Sequence, residues 1–385
     1  MIDRDVSDFI EQNATWFPVV SVVGPRQSGK STLVKALFPD YAYVNLEDEA
    51  DFNLAAASAS DFIKERSDRM IIDEAQRLPA LFDAVQVASD SRGSTGQYVL
   101  SGSQNFLIAK GISQSLAGRV GTIPLLPLSY KEAHRSDSQI SPDSFMLSGG
   151  YPRVHAASIP GSVFYRNYVD TYVQRDIAGY VEARNLSTFR KLLQLCAQCA
   201  GSLVNISRLA ADAGIARPTV ESWMSLLESS YIVFRLQPYF ANLRKRLTKT
   251  PKLYFYDTGL LCYLLGIQSS EQLRDSPFRG AIFENLIVEE TMKRHINAGR
   301  EPRLFFYRDD RKVEVDLVDS TDSQNIELVE VKSTMSFQAS YLKNLGVVGE
   351  SLGVPEKNRF VVMRSDASTS VGAAKVWSAH DWLLR

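Results

Sequence analysis

Short apolar runs alternate with segments of helical periodicity over the first 130 residues of the chain. The segments between the runs, such as STLVKALF from residue 31 and the stretch around 80–88, repeat apolar positions every three or four residues and predict helices. Continuously apolar strands that alternate with helices indicate a parallel sheet covered by helices on both faces. The apolar runs that predict these strands lie at 19–24, 41–47, 69–75, 97–102 and 122–128.

The remaining sequence predicts a helix-turn-helix and a second α/β unit. A helix, a turn at Gly214, a second helix after Pro218 and then strands follow one another in the order of a winged helix-turn-helix. A long helix from residue 278 precedes predicted strands at 303–307, 312–319, 326–332 and 359–363. We therefore predict four divisions, namely an α/β domain with the parallel sheet at 1–130, a helical linker region at 131–200, the winged helix-turn-helix at 201–277 and a second α/β domain at 278–385.

Composition and charge are those of an ordinary soluble globular protein. Of the 385 residues 45% are hydrophobic and 23% are charged, and the net charge of −1 provides no global attraction to nucleic acid. No apolar run approaches the roughly 20 residues of a membrane-spanning helix, and the N-terminus lacks a signal-peptide pattern, so we expect a cytoplasmic protein without a membrane partner. Cys196, Cys199 and Cys262 form no disulfide or zinc pattern, and we expect them to be buried.

A phosphate-binding motif follows the first predicted strand. The sequence GPRQSGKST completes the pattern G-x-x-x-x-G-K-[ST] between a strand and a helix, which is the context that the motif requires. Backbone N–H groups of such a loop hold phosphates, while Lys30 would reach the β- and γ-phosphates and Ser31 would bind Mg²⁺. The predicted cofactors are ATP and Mg²⁺, and the predicted binding residues are Gly24, Pro25, Arg26, Gln27, Ser28, Gly29, Lys30, Ser31 and Thr32.

Polar residues end two of the other predicted strands. The strand MIID is followed by Glu74, so that Asp73 would hold Mg²⁺ and Glu74 would polarise the attacking water. Ser103, after the strand that ends at Gly102, is the candidate for sensing the γ-phosphate. These residues predict hydrolysis as well as binding.

Acidic residues of the last α/β unit also lie at regular spacing. Alternation places Glu314 and Asp316 on one face of their strand, and Glu330 and Lys332 on one face of the next. With Glu284 on the preceding helix, Asp316 and Glu330 would bind Mg²⁺ and Lys332 would orient the attacking water. The alternative is a pair of exposed strands with cross-strand charge pairs.

The helix-turn-helix region carries residues suited to DNA. Arg217, Thr219 and Ser222 would lie near the start of the second helix, where bases are contacted. The basic stretch 243–246, with Lys249 and Lys252, could lie along phosphates. A spacer or a protein-contact surface is the open alternative.

The ordered motifs GPRQSGKST, IIDEAQRLP, VLSGSQNF, SLAGRVGTIPLLPLS and YVQRDI resemble a prokaryotic family of AAA-type P-loop ATPases. Members of that family carry a C-terminal domain that resembles PD-(D/E)XK nucleases, which have a restriction-endonuclease-like fold, and the likeness covers nearly the whole chain. The resemblance implies a homo-oligomer in which an arginine from a neighbouring subunit completes the ATP site. Arg119 is the matching residue, with an intramolecular salt bridge as its alternative, and Arg153 and Arg175 are further candidates.

Together these features predict an AAA-type protein that binds and hydrolyses ATP and couples its nucleotide state to a DNA-associated, nuclease-like domain. The alternative is a regulatory ATPase that switches a protein–protein interaction and whose C-terminal domain is a non-catalytic scaffold. A third hypothesis keeps ATP binding without turnover.

Overall fold

The computed structural model describes residues 2–66, 68–103, 112–239, 249–372 and 374–385. The chain forms two compact units. The N-terminal unit comprises the residues up to 127 with 229–231 and 297–299, and the C-terminal unit comprises 128–228, 232–296 and 300–385. The segments predicted as linker, helix-turn-helix and last α/β domain thus lie almost entirely in one unit.

The N-terminal unit contains a parallel sheet of five strands in the order β2-β3-β4-β1-β5. Each predicted strand of this region is present, which confirms the α/β prediction. The bounds are β1 Val19–Val23, β2 Ala42–Asn45, β3 Met70–Asp73, β4 Tyr98–Gly102 and β5 Val120–Pro124.

Apolar side chains of the strands pack on both faces of this sheet. Ile71 and Val99 belong to one buried cluster, while their neighbours Ile72 and Leu100 belong to another. This alternation explains why the strands are continuously apolar, as a sheet covered on both sides requires. The helices of the unit are α1 Ser7–Trp16, α2 Lys30–Leu37, α3 Glu49–Ala57, α4 Ala59–Lys64 and α5 Ala80–Arg92.

The C-terminal unit combines helices with an eight-stranded mixed sheet in the order β12-β13-β11-β10-β9-β8-β6-β7. The strands are β6 Val233–Pro238, β7 Lys252–Phe255, β8 Leu304–Arg308, β9 Glu314–Asp319, β10 Glu327–Lys332, β11 Arg359–Met363, β12 Thr369–Val371 and β13 Ala374–Ser378. The helices from residue 130 onward are α6 Tyr130–Ser136, α7 Pro142–Ser148, α8 Pro152–Ala156, α9 Gly161–Thr171, α10 Leu186–Gln198, α11 Ile206–Ala213, α12 Arg217–Ser229, α13 Thr258–Leu264, α14 Ser270–Asp275, α15 Arg279–Asn297, α16 Leu342–Leu352 and α17 Ala379–Leu383.

Less regular helical segments complete the described structure. Single 3-10 turns lie at Ala75–Arg77, Ala183–Asn185, Ala339–Tyr341 and Glu356–Asn358, and π-helical segments lie at Ile112–Leu116 and Tyr172–Ile177.

One apolar core extends through the C-terminal unit. Its buried members run from Tyr130 on α6 to Leu383 on α17, and they include residues of the helix-turn-helix region and of β8 to β11. The sheet is also shared, because β6 pairs with β8 in parallel, with Gln237 opposite Phe305. The predicted helix-turn-helix and α/β segments therefore fold around common packing.

The helix-turn-helix pattern corresponds to α11, a turn and α12. The Asn205 side chain caps α11 by accepting a hydrogen bond from the Arg208 N–H at 2.9 Å, and Gly214, at φ +75°, ends the helix. Val220 and Trp223 on α12 are buried, as are apolar residues of α11. The antiparallel strands β6 and β7 follow the two helices.

Candidate functional site

The loop between β1 and α2 has the backbone of a phosphate cradle. Gln27 and Gly29 both have positive φ, at 64° and 94°, a conformation that turns successive N–H groups toward one side. A side chain at Gly24 would lie 2.2 Å from the Leu125 carbonyl oxygen, so only glycine fits there. The buried Ser28 hydroxyl has no hydrogen-bond partner among the described residues. The loop thus offers polar groups to a phosphate-bearing ligand.

Two cationic side chains fix this loop. Lys30 is buried and its ammonium donates hydrogen bonds to the carbonyl oxygens of Gly24 at 3.0 Å and Pro25 at 2.8 Å. Arg4, which the sequence did not single out, donates to the carbonyl oxygens of Ser28 at 2.9 Å and Leu126 at 2.6 Å. An isolated arginine near the N-terminus carries no motif that would have revealed this role.

The Asp73 carboxylate is held by hydroxyl groups from both neighbouring strands. Ser101 on β4 donates to Asp73 Oδ1, and Tyr43 on β2 donates to Oδ2 at 2.8 Å. The Glu74 N–H donates to Oδ1 at 3.1 Å. Burial and the Asp73 hydrogen bond raise the pKa of Tyr43 well above its usual value. Tyr43 and Ser101 are therefore positioning residues that sequence reasoning missed.

Glu74 lies directly after β3 in a conformation that is rare for residues other than glycine. Its φ of 54° and ψ of 41° are left-handed, and such outliers cluster at functional sites. Burial raises the pKa of its carboxyl group, and the Lys30 charge partly offsets that effect. Gln76 donates to Glu74 Oε2, and the Ser103 hydroxyl lies 3.4 Å from the same oxygen. The structure therefore places Lys30, Asp73, Glu74 and Ser103 around one end of the sheet.

Other residues of the predicted nucleotide site lie nearer the surface. Ser31 is half-buried and Thr32 is exposed on the first turn of α2. An Arg26 guanidinium nitrogen lies 3.7 Å from Glu47 Oε1. The side chains that would touch the nucleotide are thus distributed around the loop.

Arg119 forms an intramolecular ion pair. Its Nε lies 2.6 Å from Asp90 Oδ1, and a second guanidinium nitrogen lies 3.0 Å from Asp90 Oδ2. Both side chains are substantially exposed. The intramolecular alternative is therefore the arrangement present in a single chain. Of the two further arginine candidates, Arg153 lies on α8, and the side chain of Arg175 lies outside the described residues.

Side chains of the helix-turn-helix are accessible at the start of α12. Arg217 and Ser222 are exposed and Thr219 is half-buried, while Arg217 pairs with Glu221 at 3.0 Å. The basic stretch 243–246 lies outside the described residues. Lys249 is exposed, but Lys252 is buried at 3% exposure and is engaged with carboxylates. The expectation that Lys252 lies along phosphates is therefore wrong.

The predicted acid cluster forms where β9 and β10 separate. Their antiparallel pairing runs to Val329 opposite Leu317, and the N–H of Val331, two residues farther along β10, donates to Asp316 Oδ2 at 2.8 Å. Lys332 Nζ lies 2.6 Å from Glu330 Oε1 and 3.6 Å from Asp316 Oδ2. Glu330 Oε2 is buried without a hydrogen-bond partner among the described residues. The structure thus brings together Asp316, Glu330 and Lys332, and Glu330 Oε2 is the oxygen without a hydrogen-bond partner among the described residues.

Glu284 is close to these residues but has other partners. Its Oε1 accepts hydrogen bonds from Lys252 Nζ at 2.9 Å and from the Tyr254 hydroxyl at 2.6 Å. Lys252 Nζ also lies 2.6 Å from Glu314 Oε1 and 3.9 Å from Asp316 Oδ1. No sequence pattern predicts that Lys252 and Tyr254 lie here, since both precede the predicted domain.

The carboxyl groups of the cluster are strongly perturbed. Burial, followed by the charge of Asp316, raises the pKa of Glu284 to about 7 and that of Glu330 to about 8. Burial alone would lower the pKa of Lys252, but the charges of Glu284, Asp316 and Glu314 raise it. The ammonium is therefore charged at neutral pH.

A Mg²⁺ ion binds carboxylate oxygens, and an oxygen that is already paired with a side-chain cation is less available to it. Across the described ranges, no group of three or more His, Cys, Asp or Glu side chains is arranged to hold a metal ion. At this cluster, Glu284 is turned to Lys252 and Tyr254, whereas Asp316 and Glu330 retain the open oxygen. The residues present fit a two-carboxylate site and do not fit the predicted three-carboxylate set.

No helix in the described part of the chain has the length and apolar character needed to cross a membrane.

Relatives of similar length are uncharacterised. An uncharacterized protein of Mycobacterium tuberculosis is 29% identical over 388 residues, which cover 97% of this chain and 84% of the relative. An uncharacterized protein of Methanocaldococcus jannaschii is 22% identical over 363 residues, covering 86% and 77%. Among solved structures, the Walker-type ATPase PABY2304 of Pyrococcus abyssi has 16% identity and a TM-score of 0.47, covering 69% of this chain and 96% of that one.

Three family models match consecutive parts of the sequence. Residues 141–271 match a domain of unknown function (DUF8612), and residues 279–382 match another (DUF4143). Residues 17–134 match the model described as AAA domain, and they contain the phosphate cradle, Asp73 and Glu74. The N-terminal part of this chain is therefore similar to AAA domains.

Proposed function

We propose that the chain binds ATP with Mg²⁺ and hydrolyses it in the N-terminal unit. The observation that carries this proposal is the joint placement of Lys30, Asp73 and Glu74 beside a loop whose N–H groups form a phosphate cradle. A binding loop alone would need neither a fixed Asp73 nor a buried, strained Glu74.

Each residue has a distinct part in this proposal. The loop N–H groups and Lys30 bind the phosphates, and Ser31 and Asp73 hold Mg²⁺, which neutralises charge on the phosphates when bound. Tyr43 and Ser101 keep the Asp73 carboxylate in place. Glu74 orients the attacking water and accepts its proton, for which a raised pKa is favourable. Ser103 contacts Glu74 and is suited to report the state of the γ-phosphate.

Arg119 retains a proposed role in a homo-oligomer. An exposed arginine can leave Asp90 at modest cost, because solvent screens an ion pair at the protein surface. It would then stabilise transition-state charge at the ATP site of a neighbouring subunit.

The test is ATP binding and turnover by the wild-type chain and by Lys30→Ala. We expect at least about a hundredfold loss of turnover and weaker ATP binding, because the loop loses its phosphate-binding ammonium. Lys64→Ala, at an exposed position on α4, is the matched control and should leave both unchanged. Wild-type protein without ATP affinity would overturn the proposal.

A second candidate function is metal-dependent cleavage of nucleic acid by the C-terminal unit. The observation in its favour is the convergence of Asp316, Glu330 and Lys332, with the buried oxygen of Glu330 left open. Mg²⁺ commonly uses one or two carboxylates together with substrate phosphates. The α11–α12 segment followed by β6 and β7 has the order of a winged helix-turn-helix, whose exposed Arg217 and Ser222 could contact DNA.

This candidate predicts cleavage of DNA or RNA at millimolar Mn²⁺ or Mg²⁺ that disappears in Asp316→Asn. Glu350→Gln, an exposed position on α16, should cleave like the wild type. Substrates should include double-stranded DNA, single-stranded DNA and RNA, each with and without ATP. If the wild type cuts none of them, the non-catalytic scaffold of a regulatory ATPase is the better description of the unit.

A further inference from the structure

A buried lysine lies inside the acid cluster of the C-terminal unit. Lys252 Nζ is within 2.9 Å of Glu284 Oε1 and 2.6 Å of Glu314 Oε1, and it lies 3.9 Å from Asp316 Oδ1. One ammonium therefore serves carboxylates from α15 and from two positions on β9. This is the arrangement that a bound cation would have.

The position of Lys252 is fixed by its strand. Lys252 begins β7, and Tyr254, two residues later on the same face, donates to the same Glu284 oxygen. The Phe306 ring on β8 lies beneath the ammonium, with 5.5 Å between Nζ and the ring centroid. Strand geometry and packing thus hold the charge among the carboxylates.

Charges within the cluster nearly balance without a metal. When all groups are ionised, four carboxylates face three cations, which leaves a single negative charge. Without Lys252 two negative charges would remain, which matches one divalent cation. The carboxylates are Glu284, Glu314, Asp316 and Glu330, and the cations are Lys252, Lys332 and Arg308, which lies 2.8 Å from Glu314 Oε2.

We propose that Lys252 is a built-in counterion that replaces a divalent cation on the Glu284–Glu314 side of the cluster. Asp316 and Glu330 are left as a weak divalent-cation site whose affinity Lys252 limits. The inference concerns the cluster of the second candidate function, but it addresses cation binding and holds whether or not the unit cleaves nucleic acid.

Like charges at this range have a measurable effect on affinity. Any cation held by Asp316 would share that carboxylate with the ammonium 3.9 Å away. Coulomb repulsion at a few ångströms, even in a solvent-like dielectric, is large enough to lower divalent-cation affinity at least about tenfold. Removal of the ammonium should therefore raise the divalent-cation affinity by the same factor.

The experiment measures Mn²⁺ binding to the nucleotide-free, full-length chain by calorimetry and by electron paramagnetic resonance. Lys252→Met replaces the ammonium by an uncharged side chain of similar length, and it should bind Mn²⁺ at least about tenfold more tightly than the wild type. Lys375→Met, exposed on β13, makes the same change in net charge and should bind as the wild type does.

A double variant separates this site from the nucleotide site. Lys252→Met with Asp316→Asn should lose the added affinity, because Asp316 faces both the Lys252 position and the Glu330 side of the cluster. An unchanged Mn²⁺ affinity in folded Lys252→Met, or a gain that survives Asp316→Asn, would overturn the proposal. Loss of cleavage activity alone would bear only on the second candidate function.

Wild-type crystals soaked in Mn²⁺ keep the proposal testable if Lys252→Met does not fold. Anomalous scattering should show no manganese between Glu284 and Glu314, with Lys252 in place. A manganese peak bound by Glu284 and Asp316, with the Lys252 ammonium displaced, would show that the lysine does not take the place of the metal.

Discussion

Glu74→Gln is expected to lower ATP turnover by at least about a hundredfold while ATP still binds. Glutamine has the same shape but cannot accept a proton from water. Lys30 and the loop N–H groups would be unchanged, so the variant should retain ATP on the protein. Single-turnover measurements with labelled ATP, together with equilibrium ATP binding, separate these two effects.

A neighbouring acid provides the control for Glu74. Glu65→Gln, at an exposed position after α4, removes the same charge without a contact to the cradle and should hydrolyse ATP normally. Turnover that is unchanged in Glu74→Gln would remove Glu74 from its proposed role. Weakened ATP binding with a proportional loss of turnover would instead indicate that the substitution disturbs the binding site as a whole.

Local patterns in the sequence were sufficient to predict the strands of the N-terminal sheet and to propose residues for the cradle. The phosphate loop is contiguous, and Asp73 and Glu74 end a strand whose apolar residues make it recognisable. Parallel strands bring their carboxyl ends to one edge, so residues after β1, β3 and β4 had to lie near one another. Tyr43 and Ser101 carry no motif, and their role depends on the strand order, which local periodicity does not encode.

In the acid cluster, the sequence predicts the residues of β9 and β10 but not the buried Lys252. The alternation of side chains along each strand puts Asp316 on one face of β9, and puts Glu330 and Lys332 on one face of β10. Pairing of the two strands is then enough to bring the three side chains together. The sequence predicts that Lys252 could lie along phosphates, because it follows a basic stretch after a predicted strand. Its burial follows from long-range pairing of β6 with β8, which brings the β6–β7 hairpin into the sheet.

The two candidate sites differ in how they balance charge. In the cradle, Lys30 donates hydrogen bonds to loop carbonyl oxygens, and Asp73 and Glu74 lie nearby. In the acid cluster, side-chain cations already neutralise most of the carboxylates. The acid cluster therefore contains its own counterions, whereas the cradle is proposed to bind an anionic ligand.

Lys293→Met is expected to destabilise the C-terminal unit by about 3–5 kcal/mol. Lys293 is 1% exposed, and its ammonium lies 2.8 Å from Glu290 Oε1 and 3.5 Å from Glu289 Oε1. Its removal would leave two buried carboxylates without a cation, and burial already raises the pKa of both. Urea unfolding followed by tryptophan fluorescence reports on this unit, which holds Trp223, Trp377 and Trp382.

Partner removal distinguishes a charge effect from lost packing. Glu290 also accepts the Tyr130 N–H at 2.7 Å, so Lys293→Met with Glu290→Gln keeps a hydrogen-bond acceptor there while removing one stranded charge. The double variant should recover part of the stability lost in the single variant, with a coupling of about 1–3 kcal/mol. Arg217→Met breaks an exposed ion pair with Glu221 and should cost less than about 1 kcal/mol. Equal losses in the single and double variants would assign the effect to the packing of the Lys293 side chain, because a stranded carboxylate would then contribute nothing.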